Sequence, residues 1–160
     1  MKKFNILITG GAGYIGSMLS TKLINLGNKV TVIDILEYDT RSLSHLYLDK
    51  NFTFIRRDVR DKNFMKKIIR KFDYVIPLAG LVGAPLCEKR KKDAKEINFE
   101  VVKDLVSFLS KKQKIIFTNS NSGYGIGSKT KFCDENSPLN PISLYGRTKV
   151  EAEKVVMNFP

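Results

Sequence analysis

The sequence predicts an α/β fold in which a parallel sheet is doubly wound and helices cover both of its faces. Two observations favour this fold. Apolar runs of strand length alternate with helical patterns along the chain, and a glycine-rich turn joins the first run to the first helix. Strands separated by helices imply right-handed crossovers and parallel pairing. We therefore predict a spatial strand order of 3-2-1-4-5 within one domain that comprises all 160 residues.

The first crossover carries the strongest local signal in the chain. Residues 4–8 form an apolar run, and residues 9–16 read T-G-G-A-G-Y-I-G. Glycines in this pattern permit a tight turn, a close approach of the main chain to a pyrophosphate, and close packing of the helix on the strand. The phosphates would meet the positive end of the helix. The residues that we expect around them are Gly10, Gly13, Tyr14, Ile15 and Gly16.

The segment after the turn strengthens this interpretation. Apolar residues recur at helical spacing up to Gly27, which ends the helix, and residues 29–33 form a second apolar strand that leads into Asp34. An acid at this point accepts hydrogen bonds from the adenosine ribose and repels a 2′-phosphate, which favours NAD over NADP. The alternative, a glycine turn that joins any strand to any helix, is disfavoured because strand, helix and acid are all present.

The composition is that of an ordinary globular chain, with 42% hydrophobic residues. No segment approaches the apolar length of a membrane span, and no cleavable apolar stretch precedes the first strand. We therefore expect a cytoplasmic protein without a membrane partner. Cys87 and Cys133 are far apart and lack metal-ligand spacing, so we expect reduced thiols and no metal.

The net charge of +12 at pH 7 raises the question of a nucleic-acid partner, because Lys and Arg supply non-specific affinity for phosphates. The basic clusters fall on or beside predicted helices, and no aromatic residues alternate with them as stacking platforms. We therefore expect solvated lysine-rich faces and no nucleic-acid partner. A positive charge of this size favours solubility and attracts anionic ligands.

The remaining elements continue the alternation of strand and helix. Further strands are predicted at residues 52–55, 74–76 and 114–117. Further helices are predicted at residues 64–72, at 93–110 and from about 143. Pro77 follows the fourth strand run and lacks an N–H, so it must lie at a strand end or at an unpaired position.

A second constellation has the spacing of a catalytic pair. Tyr145 and Lys149 lie four residues apart, which places them one turn apart on the same face of the last helix. A neighbouring ammonium favours the ionised form of a phenol, and this helps a tyrosine act as a general acid or base near neutral pH. The spacing alone is common on surface helices. The hydroxyl-rich loop 118–125 precedes it at the carboxyl end of the fifth strand, where ligands of doubly wound sheets bind.

Together, these motifs resemble the amino-terminal part of an extended short-chain dehydrogenase/reductase of the NAD-dependent epimerase/dehydratase family, which has a Rossmann fold. The resemblance covers the whole chain. The family's cofactor-binding positions correspond to the glycine turn and to Asp34, Asp58, Val59, Leu78, Ala79, Gly80, Asn98, Tyr145 and Lys149. Its catalytic positions correspond to Ser120, Tyr145 and Lys149.

The resemblance implies an enzyme that binds NAD and acts on nucleotide sugars, as an isomerase or an oxidoreductase. Tyr145 would take a proton from a sugar hydroxyl while hydride passes to the nicotinamide, and Ser120 would hydrogen-bond the same oxygen. Asn121 and Ser122 stand where sugar dehydratases carry Asp-Glu, which favours epimerase or reductase chemistry. The resemblance also implies a homodimer through the two long helices.

Members of this family usually run to roughly twice this length or more, because later segments build the substrate lobe. We therefore expect that lobe to be absent from this chain. Two functions remain open: a nucleotide-sugar epimerase or related oxidoreductase, and a truncated or regulatory NAD-binding module without turnover. His45 is expected to be a solvated surface residue and Cys87 an unreactive buried thiol.

Overall fold

The structure, a computed structural model, describes residues 2–38, 41–127 and 132–160. The chain divides into two compact units. The first unit comprises Met1–Ala79 and Asp104–Phe117, and the second comprises Gly80–Lys103 and Thr118–Pro160. The whole sheet belongs to the first unit.

Five parallel strands form the sheet of the first unit. They are β1 (Asn5–Thr9), β2 (Lys29–Asp34), β3 (Phe52–Arg56), β4 (Tyr74–Pro77) and β5 (Lys114–Ile115). Their order is β3-β2-β1-β4-β5, which confirms the predicted topology. In the central strand Ile6, Leu7 and Ile8 are all buried. Because successive side chains of a strand point to opposite faces, both faces of the sheet are covered there.

Two helices and two short 3-10 segments of the first unit follow strands of this sheet. They are α1 (Tyr14–Asn25), the 3-10 turn Ser44–Leu46, α2 (Lys62–Ile68) and its 3-10 continuation Ile69–Lys71. Ile24 of α1 joins a core cluster with Ile6, Ile8, Val30 and Val32 of the two central strands. The Asp61 carboxylate caps α2 by accepting a hydrogen bond from the Phe64 N–H (3.0 Å). This cap explains why the helix begins two residues before the predicted start.

Further helical segments follow β4 and β5. They are α3 (Ala84–Lys89), α4 (Lys91–Lys95), the π-helical segment Glu96–Glu100, α5 (Val101–Phe108), the 3-10 turn Asn121–Tyr124 and α6 (Leu144–Met157). The prediction of one regular helix at 93–110 was therefore incomplete, since a π segment interrupts it. Residues 84–89, for which no helix was predicted, form a short helix with Pro85 in its first turn, where the fixed φ of proline favours helix.

Two strand ends can be compared with the predictions, and the structure agrees with one of them. Pro77 is the last residue of β4 and lies opposite Thr9, so the prediction of a strand end is confirmed. The apolar run 114–117 was predicted as a full strand, whereas β5 contains only its first two residues. Beyond β5, the Ile116 N–H still donates to the Val75 carbonyl (3.0 Å). β5 is the edge strand of the sheet and β4 is its one hydrogen-bonded neighbour.

Gln113 ties the start of β5 to the end of the α2 segment. Its buried side-chain amide donates to the carbonyls of Ile69 and Phe72, both at 2.8 Å. Its amide oxygen accepts from the Ser110 N–H at 3.0 Å. The side chain therefore satisfies polar groups of two segments that lie more than 40 residues apart in sequence.

We expect Gln113→Ala to lower the free energy of unfolding by about 2 to 4 kcal/mol, because it leaves two carbonyls unsatisfied and opens a small cavity. Urea unfolding measures this change. Lys112→Ala is the matched control, since this neighbouring side chain is exposed, and it should change the stability by less than about 0.5 kcal/mol. Equal effects of the two substitutions would contradict the proposed tie.

Candidate functional site

The glycine turn between β1 and α1 packs main chain against main chain. Gly10 has a φ of +69°, and a Cβ there would overlap the backbone of Ala79. A Cβ at Gly16 would lie 2.5 Å from the Cα of Gly11 and 2.8 Å from the carbonyl oxygen of Gly10. Contacts this short exclude any side chain. The structure therefore brings the predicted residues Leu78 and Ala79 to the turn, because their peptide lies against Gly10.

Asp34 is attached to the same turn. One oxygen of its carboxylate accepts a hydrogen bond from the Ala12 N–H (3.0 Å), and the other accepts from the Leu36 N–H (2.8 Å). The Ser42 hydroxyl donates to the Ala12 carbonyl (2.7 Å). Both the N–H and the carbonyl of Ala12 are therefore hydrogen-bonded to side chains. Sequence reasoning missed Ser42, because nothing in its local pattern shows that it reaches back 30 residues.

The amino end of α1 is open toward solvent and fits a diphosphate. Gly13 is the residue before the helix, and a Cβ there would meet the carbonyl oxygen of Gly10 at 3.3 Å. Tyr14 and Ile15 are 84% and 57% exposed, and the first turn carries no acidic residue. First-turn N–H groups have no partner inside a helix, so they are available to anionic oxygens at its positive end.

Asp58 and Val59 follow β3 at the same edge of the sheet. The Asp58 carboxylate forms an ion pair with the Arg60 guanidinium at 2.7 Å and accepts the Arg60 N–H at 2.9 Å. The hydrogen bond to Arg60 holds the pKa of Asp58 below its ordinary value, although partial burial opposes this shift. Val59 is buried. The role of this pair in cofactor binding stays a prediction.

In the second unit, Asn98 clamps the segment that follows the sheet. Its side chain accepts from the Leu81 N–H (2.8 Å) and donates to the Leu81 carbonyl (2.9 Å). A Cβ at Gly80 would lie 3.0 Å from the Asn98 amide oxygen, so glycine permits this close approach. Asn98 is buried in the middle of the π-helical segment, and such segments are frequent at functional sites.

Cys87 lies in the same cluster. The thiol is fully buried and donates to the Leu81 carbonyl at 3.3 Å. Burial raises the pKa of Cys87, which keeps the sulfur in its less nucleophilic thiol form. The prediction that this residue is a buried thiol is confirmed.

The three predicted catalytic residues all belong to the second unit. Tyr145 and Lys149 lie one turn apart on α6, whose amino end is capped by the Ser143 hydroxyl. Tyr145 is half-buried and packs against a cluster that contains Leu81 and Cys87. The Ser120 hydroxyl accepts from the Ser122 N–H at 3.2 Å and thereby caps the 3-10 turn that follows it.

Lys149 is held in a partly desolvated position. Its ammonium donates to the Thr118 carbonyl at 2.6 Å. Burial lowers the pKa of Lys149 to about 8, and the negative charge of Glu153 opposes this shift. The lysine therefore loses its proton at a lower pH than an ordinary lysine.

Gly146 is a site residue that sequence reasoning missed. A Cβ there would lie 2.6 Å from the Ser122 carbonyl oxygen and 3.0 Å from Pro141, so glycine lets α6 approach the turn that follows Ser120. The signal was an isolated glycine within a helical pattern, which often marks a close packing contact.

Other side chains show no comparable arrangement. His45 is exposed and hydrogen-bonds to the Thr21 hydroxyl at 2.8 Å, as expected for a surface residue. Within residues 2–38, 41–127 and 132–160, no cluster of His, Cys, Asp and Glu could hold a metal ion. None of the helices in this described part combines the length and apolar character needed to cross a bilayer.

The sequence of residues 6–159 matches the NAD dependent epimerase/dehydratase family. The chain belongs to this family. The fold and the family resemblance inferred from the motifs are thereby confirmed.

Known members of the epimerase/dehydratase family show how far the likeness extends. The chain is 34% identical over 149 residues to a UDP-N-acetyl-alpha-D-glucosaminuronate decarboxylase of Bacillus cytotoxicus, covering 92% of this chain and 44% of the relative. It is 34% identical over 158 residues to a UDP-glucose 4-epimerase of Lactobacillus helveticus. This match covers 94% of this chain and 46% of the relative. The structure of a UDP-glucuronic acid 4-epimerase of Bacillus cereus, solved with UDP-glucuronic acid and NAD, superposes on this chain with a TM-score of 0.85 and 28% sequence identity. The superposition covers 97% of this chain and 53% of that one. The chain thus spans about half the length of the curated relatives that it matches.

The lowered pKa of Lys149 predicts a pH dependence of the stability of this epimerase/dehydratase family chain. Between the folded pKa of about 8 and the ordinary value of 10.5, the unfolded chain holds a proton that the folded chain lacks. The free energy of unfolding should therefore receive a contribution that rises with pH across this window. Below pH 8 Lys149 is protonated in both the folded and the unfolded chain, so the stability bears the full cost of burying the ammonium and no longer changes with pH through this group.

Lys149→Met should remove this rise. The stability of the variant relative to the wild type should be greatest below about pH 8 and should fall toward pH 10.5, as measured by urea unfolding. Lys154→Met on the same helix is the control, because that side chain is exposed and should leave the pH profile unchanged. An identical slope in wild type and Lys149→Met would refute the desolvation of Lys149.

Proposed function

We propose that this chain is the NAD-binding and catalytic-residue part of a nucleotide-sugar epimerase that uses Tyr145 as its acid and base. The placement of the Asp34 carboxylate on the glycine turn, 3.0 Å from the Ala12 N–H, carries the cofactor assignment. It puts an acid beside the open amino end of α1, as binding of an adenosine ribose and its diphosphate requires. Related chains named as UDP-sugar epimerases support the substrate class.

Two sets of groups in this chain are accessible to NAD: the N–H groups in the first turn of α1 and the carboxylate oxygens of Asp34. The exposed first turn of α1 would bind the diphosphate through its N–H groups. Asp34 would accept from the ribose hydroxyls while it keeps its bonds to Ala12 and Leu36, because each carboxylate oxygen can accept more than one hydrogen bond. Bound NAD would supply the hydride acceptor and donor of the reaction.

The catalytic proposal assigns proton handling to α6 and to the turn after Ser120. Tyr145 would take the proton from a sugar hydroxyl and return it when the configuration at that carbon has changed. The Ser120 hydroxyl accepts from the Ser122 N–H and donates to the Ser122 hydroxyl at 3.1 Å. Because a hydroxyl proton rotates, Ser120 would hydrogen-bond the same sugar oxygen by turning this proton away from Ser122. Lys149 would stabilise the phenolate of Tyr145 and bind the nicotinamide ribose while it stays protonated, below its pKa of about 8.

The residues after Ser120 favour epimerisation over loss of water. Asn121 and Ser122 begin the 3-10 turn there, and neither side chain can serve as the carboxylate acid or base of an elimination. The homodimer through the two long helices stays a prediction, and size-exclusion chromatography with light scattering tests it.

We expect NAD to bind at least about tenfold more tightly than NADP, because the Asp34 carboxylate repels a 2′-phosphate. Isothermal titration calorimetry of the chain with each dinucleotide measures the ratio. Asp34→Asn should reduce the ratio of the affinity for NAD to that for NADP. A thermal unfolding midpoint equal to that of the wild type would show that the variant keeps the folded glycine turn. Tighter binding of NADP than of NAD would overturn the role of Asp34.

Tyr145→Phe should reduce the turnover of UDP sugars by about 10²- to 10⁴-fold, because it removes the group that exchanges the proton. Epimer formation is followed by chromatography over a panel of UDP-, GDP- and dTDP-sugars with NAD. Tyr47→Phe is the matched control, since Tyr47 lies in the loop before β3 and should leave turnover unchanged. NAD binding without turnover of any sugar by the wild-type chain would favour the non-catalytic module instead.

A further inference from the structure

One edge of the sheet in the first unit carries a dense array of cations. We call it the amino edge: the segments 2–4, 26–28, 47–51, 69–73 and 109–113, which lead into the five strands, and the first residue of each strand. Parallel strands bring all of these segments to the same end of the sheet. The cations of the amino edge are Lys2, Lys3, Lys29, Lys50, Arg70, Lys71, Lys111, Lys112 and Lys114, and all nine are exposed.

These charges are not compensated locally. Among the residues that the structure describes, none of the nine cations forms an ion pair with a carboxylate. The acids of the amino edge are Asp49 and Asp73, and both accept backbone N–H groups, of Asn51 and Asn5 respectively, at 2.8 Å. The amino edge therefore has a net charge of +7 out of the chain total of +12.

The basic residues around the segment 88–104 behave differently. Lys91 pairs with Glu88 at 3.1 Å, Lys92 with Glu96 at 3.9 Å, and Lys103 with Glu100 at 3.6 Å. These ion pairs are the ordinary arrangement of a solvated helical face. The cations of the amino edge are exposed, as expected for solvated lysine-rich faces, but among the described residues they lack such ion pairs.

Helix dipoles account for only part of the cationic excess. The carboxyl ends of α1, of the α2 segment and of α5 precede β2, β4 and β5 at the amino edge. Each helix end contributes about half a negative elementary charge, so three of them offset only about 1.5 of the seven positive charges. A large positive potential remains on this edge and is available to a partner.

Exposed apolar side chains lie among these cations. Leu48 is 101% exposed, and Tyr47 and Leu26 are about half exposed. Leu48 and Tyr47 precede β3 beside Lys50, and Leu26 lies in the loop before Lys29. Lysines with interspersed Leu and Tyr are the composition by which proteins bind an anionic membrane interface, with the cations at the headgroups and the apolar groups below them.

We propose that the amino edge docks peripherally on a bilayer with anionic headgroups, with the Leu48 side chain inserted between the lipids. The five strands place the array along a row of about 20 Å, and its charge is complementary to an anionic bilayer surface. Eight of the nine cations are lysines, which act as point charges and lack the guanidinium fork that binds a single phosphate in bidentate geometry. An inserted leucine gives no gain on a nucleic acid backbone.

Peripheral docking of this kind is compatible with the absence of a spanning helix among the described residues. The glycine turn follows β1 and Asp34 is the last residue of β2, so both lie at the opposite end of the same strands. Docking through the amino edge would therefore leave that end of the first unit facing away from the bilayer.

The chain contains no tryptophan, so Leu48→Trp introduces a single fluorophore at the proposed insertion point. With vesicles of equal parts phosphatidylglycerol and phosphatidylcholine, we expect a blue shift of its emission and quenching by brominated lipid. Pure phosphatidylcholine vesicles should give neither change. Met157→Trp, at another exposed apolar position, is the control and should keep a solvent-exposed spectrum with both vesicles.

Charge removal tests the cations directly by vesicle sedimentation. The triple variant Lys50→Gln, Lys111→Gln, Lys112→Gln should weaken binding to phosphatidylglycerol vesicles by about 100-fold, roughly fivefold for each lysine. The matched triple variant Lys91→Gln, Lys92→Gln, Lys103→Gln removes the same charge from ion-paired positions and should weaken it by less than about threefold. Increasing salt should release the wild-type chain.

Three results would overturn the proposal. The first is that the wild-type chain does not bind phosphatidylglycerol vesicles at about 0.1 M salt. The second is that the two triple variants weaken vesicle binding equally. The third is that the emission of Leu48→Trp does not shift on vesicles that bind the chain. Tighter binding of single-stranded RNA than of vesicles, lost in the Lys50, Lys111, Lys112 variant, would assign the amino edge to nucleic acid instead.

Discussion

The contact of main chain with main chain at the first glycine turn is the constraint on which the first unit depends. Gly10 lies against the backbone of Ala79, and Gly16 lies against Gly11, at distances that leave no room for a Cβ. These contacts bring the end of β4, the end of β1 and the start of α1 together. The Asp34 carboxylate adds a hydrogen bond to the Ala12 N–H, so the end of β2 joins the same point. The proposed cofactor site is a consequence of this packing.

The second unit is organised around buried polar groups. The Asn98 amide occupies both polar groups of Leu81, and the π-helical segment places that side chain within the helical run. The Lys149 ammonium donates a hydrogen bond to the Thr118 carbonyl. Water is partly excluded from this position, and this burial lowers the pKa of Lys149 to about 8. Gly146 allows α6 to approach the turn after Ser120. Because the Asn98 amide is buried and solvent cannot replace its partners, the geometry of its hydrogen bonds is narrowly defined.

Particular elements show how much could be predicted from sequence. The five strands and their order follow from apolar runs and crossover handedness, both of which are local or general rules. The π segment at 96–100 and the short helix at 84–89 were not predicted, since hydrophobic periodicity does not distinguish 3.6 residues per turn from a single wider turn. Ser42, Gly146 and the Asn98 contact with Leu81 depend on partners 17 to 30 residues away or on another element, and no local pattern reports such partners.

By itself the sequence determined the order of elements, the glycine turn, the acid at Asp34 and the spacing of Tyr145 and Lys149, because these depend on neighbours along the chain. Only the tertiary structure decided that Lys149 is desolvated, that the Gln113 amide reaches the carbonyls of Ile69 and Phe72, and that the cations at the starts of the strands lack carboxylate partners among the described residues. The physical reason is that burial, electrostatic pairing and the summed charge of a surface depend on distances in space, and folding sets those distances between residues that are remote in sequence.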